Sequence, residues 1–89
     1  MWAAFFYAMS QRHPLVLPDL GAGPMPVTVS LWLVDVGQEV CEGDRLLEVV
    51  FGSVCVDLPA PASGVLVEAL VGEDEMLHVG QVLGIIAEK

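Results

Sequence analysis

Eighty-nine residues are enough for one domain with one small core, which excludes a multidomain enzyme within this chain. With 55% of residues hydrophobic and 17% charged, the chain carries too much apolar surface to stay disordered in water. Twelve Asp and Glu against three basic residues give a formal charge of -9, which repels phosphate backbones and anionic lipids and sets nucleic acid and membrane aside as partners.

Residues 1–13 (MWAAFFYAMSQRH) hold four of the six aromatic side chains and stop at His13-Pro14, where proline disfavours helix in the residue before it. They are read as an apolar appendage to a domain over 14–89. The longest apolar stretch, 1–9, is well short of the roughly 20 residues that span a bilayer. It has no basic residue ahead of it and no clear cleavage site, so it makes a poor secretory signal, and a start at Met9 fits equally well. So much exposed apolar surface implies that the segment, if translated, folds onto the domain or holds a weak homo-oligomer together; otherwise the chain is a monomer.

From Leu15 onward the texture changes to short Val- and Leu-rich runs at 15–17, 27–34, 45–50, 54–58, 65–70 and 82–87, punctuated by Gly, Pro and Asp. That pattern predicts an all-β domain. Alternation is cleanest in Val54-Cys55-Val56-Asp57-Leu58, which places Val54, Val56 and Leu58 on one face and Cys55 and Asp57 on the other. The strand before it ends at Phe51, and the Gly52-Ser53 pair between them suits a type II′ hairpin turn.

Shifting the sequence by 37 positions lays Leu33-Val34 on Leu70-Val71, Val40 on Leu77, Gly43 on Gly80, Leu46 on Leu83 and Val49 on Ile86. Gly37 falls on Asp74, one of the few residue types besides glycine that tolerate a left-handed backbone. Two pseudo-symmetric half-domains joined by the Gly52-Ser53 hairpin would pack as a flattened β-sandwich, a barrel-sandwich hybrid.

Candidate chemistry is sparse. Cys41, Cys55, His13 and His78 form a nominal zinc inventory, but no C-x-x-C or H-x-x-x-H hook preforms a site, so no metal is expected. Asp57 beside Cys55 would raise rather than lower a thiol pKa, which argues against a reactive cysteine. Glu73-Asp74-Glu75 lacks the alternating acidic loop of a calcium site and reads as a solvated turn. Trp32 reads as a packing residue. Phe51, next to the hairpin tip, is a large apolar residue that reads first as packing, with a contact role as the alternative. No nucleophile, base or metal constellation points to an enzyme. The two cysteines, without a disulfide scaffold, fit a reducing cytoplasm.

Several motifs in this frame resemble the biotinyl/lipoyl domain family, and most closely the lipoyl domains of 2-oxo acid dehydrogenase acyltransferase components. Leu17-Pro18-Asp19-Leu20-Gly21-Ala22-Gly23 is similar to the family's opening LPDLGEG, and Trp32-Leu33-Val34 followed by Gly37 to its W-x-V-x-x-G-D. Val40-Cys41-Glu42-Gly43-Asp44, the stretch 59–66 and Val79-Gly80-Gln81-Val82-Leu83 are similar to the later V-x-x-G-D, P-A-P-x-x-G-x-L and V-G-x-x-L motifs. The resemblance implies a lipoyl-type sandwich whose hairpin tip carries lipoate or biotin on a lysine. Counting eleven residues back from the family glycine, Gly64, lands on Ser53, and the only lysine of the chain is Lys89. Gly52 stands where the family has an aspartate and Ala22 where its opening motif has a glutamate. The resemblance therefore implies a domain to which neither lipoate nor biotin can be attached at Ser53. Such a domain would serve as a non-catalytic interaction or structural module with an unidentified protein partner; the alternative is a true swinging-arm carrier domain.

Overall fold

Runs of Val, Leu and Ile too short for helices, each cut off by a turn residue, leave strands as the only element these segments can build. The computed structural model describes residues 11–88 and has eight strands among them. They are β1 (Arg12–Val16), β2 (Val27–Trp32), β3 (Glu39–Val40), β4 (Arg45–Phe51), β5 (Val54–Pro59), β6 (Gly64–Ala69), β7 (Met76–Leu77) and β8 (Val82–Ala87). All pairings are antiparallel, and they form two four-stranded sheets in the orders β1-β8-β6-β3 and β5-β4-β2-β7. The expected all-β flattened sandwich is the fold observed.

The 37-residue repeat relates six of the eight described strands. It carries β2 onto β6, β3 onto β7 and β4 onto β8, and the two sheet orders then map onto each other. Irregularities in pairing recur with it, between Val29 and Leu31 in one half and between Leu66 and Glu68 in the other. So do side-chain caps of the turns. The Asp35 N–H donates to Gln38 Oε1 at 3.2 Å and the Gly72 N–H to Glu75 Oε1 at 3.3 Å. Likewise the Cys41 N–H donates to Asp44 Oδ2 at 2.8 Å and the His78 N–H to Gln81 Oε1 at 2.9 Å. Each cap satisfies a turn donor that no strand partner reaches. Asp74 has φ of 66° where its counterpart Gly37 has 95°, and the match foreseen from the sequence extends to the backbone.

The core lies between the sheets. Leu17, Leu46, Leu47, Leu66, Leu83, Ile86, Val29 and Val49 are its largest fully buried side chains, and among the described residues no polar or charged side chain is buried with them. Burying each aliphatic side chain contributes on the order of 1.5–3 kcal/mol, the main stabilising term in a domain this small. Trp32 is half-buried as a packing residue: its indole Nε1–H donates to the Val71 carbonyl at 2.8 Å, and a Cβ at Gly84 would come within 2.9 Å of its ring.

Two details depart from the sequence-based frame. Arg12 and His13, assigned there to the appendage, are the first residues of β1 and pair with Ala87 and Ile86, so the sandwich begins by position 12. The extended conformation that Pro14 imposes on His13 suits a strand as well as it ends a helix. The two-residue strands β3 and β7 are too short to leave a periodic signal. Residues 1–10, most of the proposed appendage and the segment invoked for self-association, lie outside the described residues, as does Lys89.

Candidate functional site

The β4–β5 hairpin is where a chemical role is expected, and its turn forms as its two central residues dictate. Phe51 pairs with Val54 across it, so Gly52 and Ser53 alone make the connection. Gly52 has φ of 58° and Ser53 is not among the residues with positive φ, which is the type II′ pattern. Both are exposed, with Val54 and Cys55 exposed beyond them. The tip therefore presents the Ser53 hydroxyl to solvent on a tight two-residue turn.

The connection between β1 and β2, residues 17–26, reaches this tip. Within it the Gly21 N–H donates to Asp19 Oδ1 at 2.9 Å and the Met25 N–H to the Ala22 carbonyl at 3.2 Å, with Gly21 and Gly23 at positive φ. Met25 lies against the turn: a Cβ added to Gly52 would sit 3.2 Å from its Sδ. Ala22 is buried, only 9% exposed, so the position that the family resemblance associates with a charge beside the tip faces the core here.

Of the two roles open to Phe51, packing and contact, its burial favours packing. Period two along β4 places Leu47, Val49 and Phe51 on the inner face, and Phe51 joins the same buried cluster as Ala22 and Val27. It is a packing residue. Val54 departs in the other direction: it shares the inward register of Leu58 yet is 44% exposed.

Beside the tip lies a groove of about 320 Å³ between the 17–26 connection and β7, where Met25, Met76 and Val79 stand exposed. The repeat carries this groove onto a second one at the other end, between β3 and the short 60–63 connection, where Glu39, Glu42 and Glu88 line the rim. Sequence reading did not single out Met25 or Met76, and took Val79 only as the first residue of a family-like motif. Extending the 37-residue alignment would have shown Met76 and Val79 opposite Glu39 and Glu42.

The remaining candidates are dispersed. Cys41 and Cys55 are exposed free thiols at different places, Cys41 after β3 and Cys55 on the outer face of β5. His78 is exposed beyond β7. His13 on β1 has Nε2 3.1 Å from Glu88 Oε1, a contact of charge type with no aligned hydrogen bond. No group of three or more His, Cys, Asp or Glu among the described residues is placed to hold a metal. Glu73-Asp74-Glu75 forms the turn ahead of β7, with the Asp74 N–H donating to the Val29 carbonyl at 2.8 Å. No described helix is long and apolar enough to cross a membrane.

Comparison with known proteins agrees with this geometry. A family model described as biotin-requiring enzyme matches residues 13–86. The dihydrolipoyllysine-residue acetyltransferase component of the acetoin cleaving system of Pseudomonas putida is 36% identical over 80 residues, 90% of this chain and 22% of that protein. The dihydrolipoyllysine-residue succinyltransferase component of the 2-oxoglutarate dehydrogenase complex of Bacillus subtilis is 36% identical over 72 residues, 81% of this chain and 17% of that protein. The chain thus spans about a fifth of the length of these relatives. Among solved structures, the lipoyl domain of the 2-oxoglutarate dehydrogenase complex from Azotobacter vinelandii superposes with a TM-score of 0.59 at 20% identity, covering 90% of this chain and 95% of that one. A single-chain, multi-domain long-chain acyl-CoA carboxylase superposes with a TM-score of 0.70 at 18% identity over 88% of this chain and 7% of that one. These two show the shared fold. The matched residues take in all eight strands but for the ends of β1 and β8, and the chain belongs to the biotinyl/lipoyl domain family, as a lipoyl-type domain related to the acyltransferase components of 2-oxo acid dehydrogenase complexes.

Proposed function

We propose that this domain keeps the lipoyl-type sandwich without its carrier chemistry and works as a non-catalytic interaction or structural module related to 2-oxo acid dehydrogenase complexes. One observation carries the reading: the one side chain on the exposed two-residue hairpin turn is that of Ser53, and no lysine lies among the described residues. Attachment of lipoate or biotin through an amide needs an amine nucleophile. A serine hydroxyl can give only an ester, so the residues at the tip do not fit the group, and no carrier step is assigned to them. The neutral Gly52 and the buried Ala22 remove the charges that, by resemblance, would flank the attachment point. The partner is a protein, in keeping with relatives that are named as components of multienzyme systems. Two exposed unpaired cysteines support a reducing compartment, the cytoplasm.

The test is acylation in vitro. Wild-type protein incubated with a lipoate ligase, lipoic acid and ATP should keep its mass, and Ser53→Lys should gain the lipoyl increment only in trace amounts, because the surface a ligase reads around the tip has also changed. Acylation of the wild-type chain would overturn the reading in favour of a true carrier domain.

A further inference from the structure

The two grooves related by the internal repeat supply a control that a single sequence otherwise lacks. Met76 and Val79, 57% and 64% exposed, stand where the same fold carries Glu39 and Glu42 in the other half. The fold accepts carboxylates at these positions, so packing does not require the apolar side chains found in the groove beside the tip. Met25, 45% exposed, adds a third, supplied by the longer 17–26 connection and seated against Gly52. Exposed apolar clusters of this kind on a small domain mark contact sites, and methionine adapts to varied partner shapes.

We propose that the groove formed by Met25, Met76 and Val79 docks a segment of a partner protein that has an apolar centre and basic flanks; this rests on the reading of the domain as an interaction module. Three arguments select that occupant. The apolar side chains stand around an open groove rather than enclose it, which suits a segment lying across it more than an engulfed small molecule. Charge complementarity favours basic flanks: Asp19 lines the groove beside His78, Glu73-Asp74-Glu75 precedes Met76 in the chain, and the described residues hold twelve carboxylates against Arg12 and Arg45. A second copy is disfavoured, because each would bring a formal charge of -9 to the contact.

The experiment is a titration of the ¹⁵N-labelled full chain, followed by amide shifts, with three synthetic peptides. All share a Leu-Phe-Ala-Leu centre; one is flanked on each side by two lysines, one by two serines and one by two glutamates. The lysine-flanked peptide should bind most tightly and the glutamate-flanked one least, with saturable shifts at Gly52, Met25, Met76 and Val79. The double variant Met76→Gln, Val79→Thr should weaken binding by about tenfold. Glu73→Gln with Asp74→Asn should weaken it by about threefold at low salt and little at high salt. The proposal is overturned if no peptide gives saturable shifts, if the three bind alike, if the shifts gather at Glu39 and Glu42, or if the chain self-associates through this face. The intact mass of the same sample separates the two readings. An unmodified mass keeps the domain a non-carrier however the titration falls, whereas a lipoyl or biotinyl increment defeats that reading alone.

Discussion

At the hairpin end of the sandwich, the connection between β1 and β2 runs through residues 17–26 and leaves Met25, Met76 and Val79 in the open. At the opposite end, the corresponding connection takes only residues 60–63 and leaves Glu39, Glu42 and Glu88 on the rim. Underneath, the two ends share their turn caps, their positive-φ positions and their leucines. Gly43 and Gly80 have φ of 90° and 87°, and Leu46 and Leu83 are both 0% exposed. The shared parts are what the fold needs from each half. The unshared parts, apolar at one end and acidic at the other, are free of that need and are where function can be sought.

The comparison can be broken most severely at the start of β6. Gly64 occupies the position that buried Val27 fills at the start of β2, but a Cβ at Gly64 would collide with the Ala87 carbonyl. Gly64→Ala should therefore cost about 3 kcal/mol or more or prevent folding, whereas Gly72→Ala, with open space around it and no positive φ, should stay within about 0.5 kcal/mol of wild type in urea unfolding. A mild effect at Gly64 would mean that the two halves are more alike there than the structure shows.

Leu46→Ala and Leu83→Ala sharpen the same comparison. Both side chains are wholly buried at repeat-related positions, so each should cost about 2–5 kcal/mol, and the two losses should agree within about 1 kcal/mol. A large disparity would show that the halves do not share the core equally. Gly52→Val should come next, at about 1–3 kcal/mol, because a β-branched residue is strained at φ of 58° and meets Met25 Sδ. Smallest of all should be Met76→Glu with Val79→Glu, which copies one groove's rim onto the other. Its unfolding free energy should match wild type within about 0.5 kcal/mol, since both side chains stand mostly in solvent. A large loss would mean that the apolar rim is structural.

Much of the frame was legible in the sequence, and the reasons are physical. The repeat showed itself through Gly37 and Asp74, Gly43 and Gly80, because positive φ restricts the residue choice wherever the chain must turn. The hairpin was legible because Gly-Ser suffices for its turn. Val54 was not placed correctly and Phe51 was left between packing and contact, and both have one cause. Alternation tells which face a residue is on, but coverage of that face depends on where the opposite sheet and the 17–26 connection end. Here Phe51 is 8% exposed and Val54 44%. The groove went unseen for a related reason: Met76 and Val79 sit on and just beyond a two-residue strand with no periodicity of its own.

The most direct test of the central claim is the intact mass of the protein purified from the cells that make it. The account predicts the polypeptide mass with no lipoyl or biotinyl increment, because the turn that would carry the group ends in the Ser53 hydroxyl. An increment matching either group would contradict it.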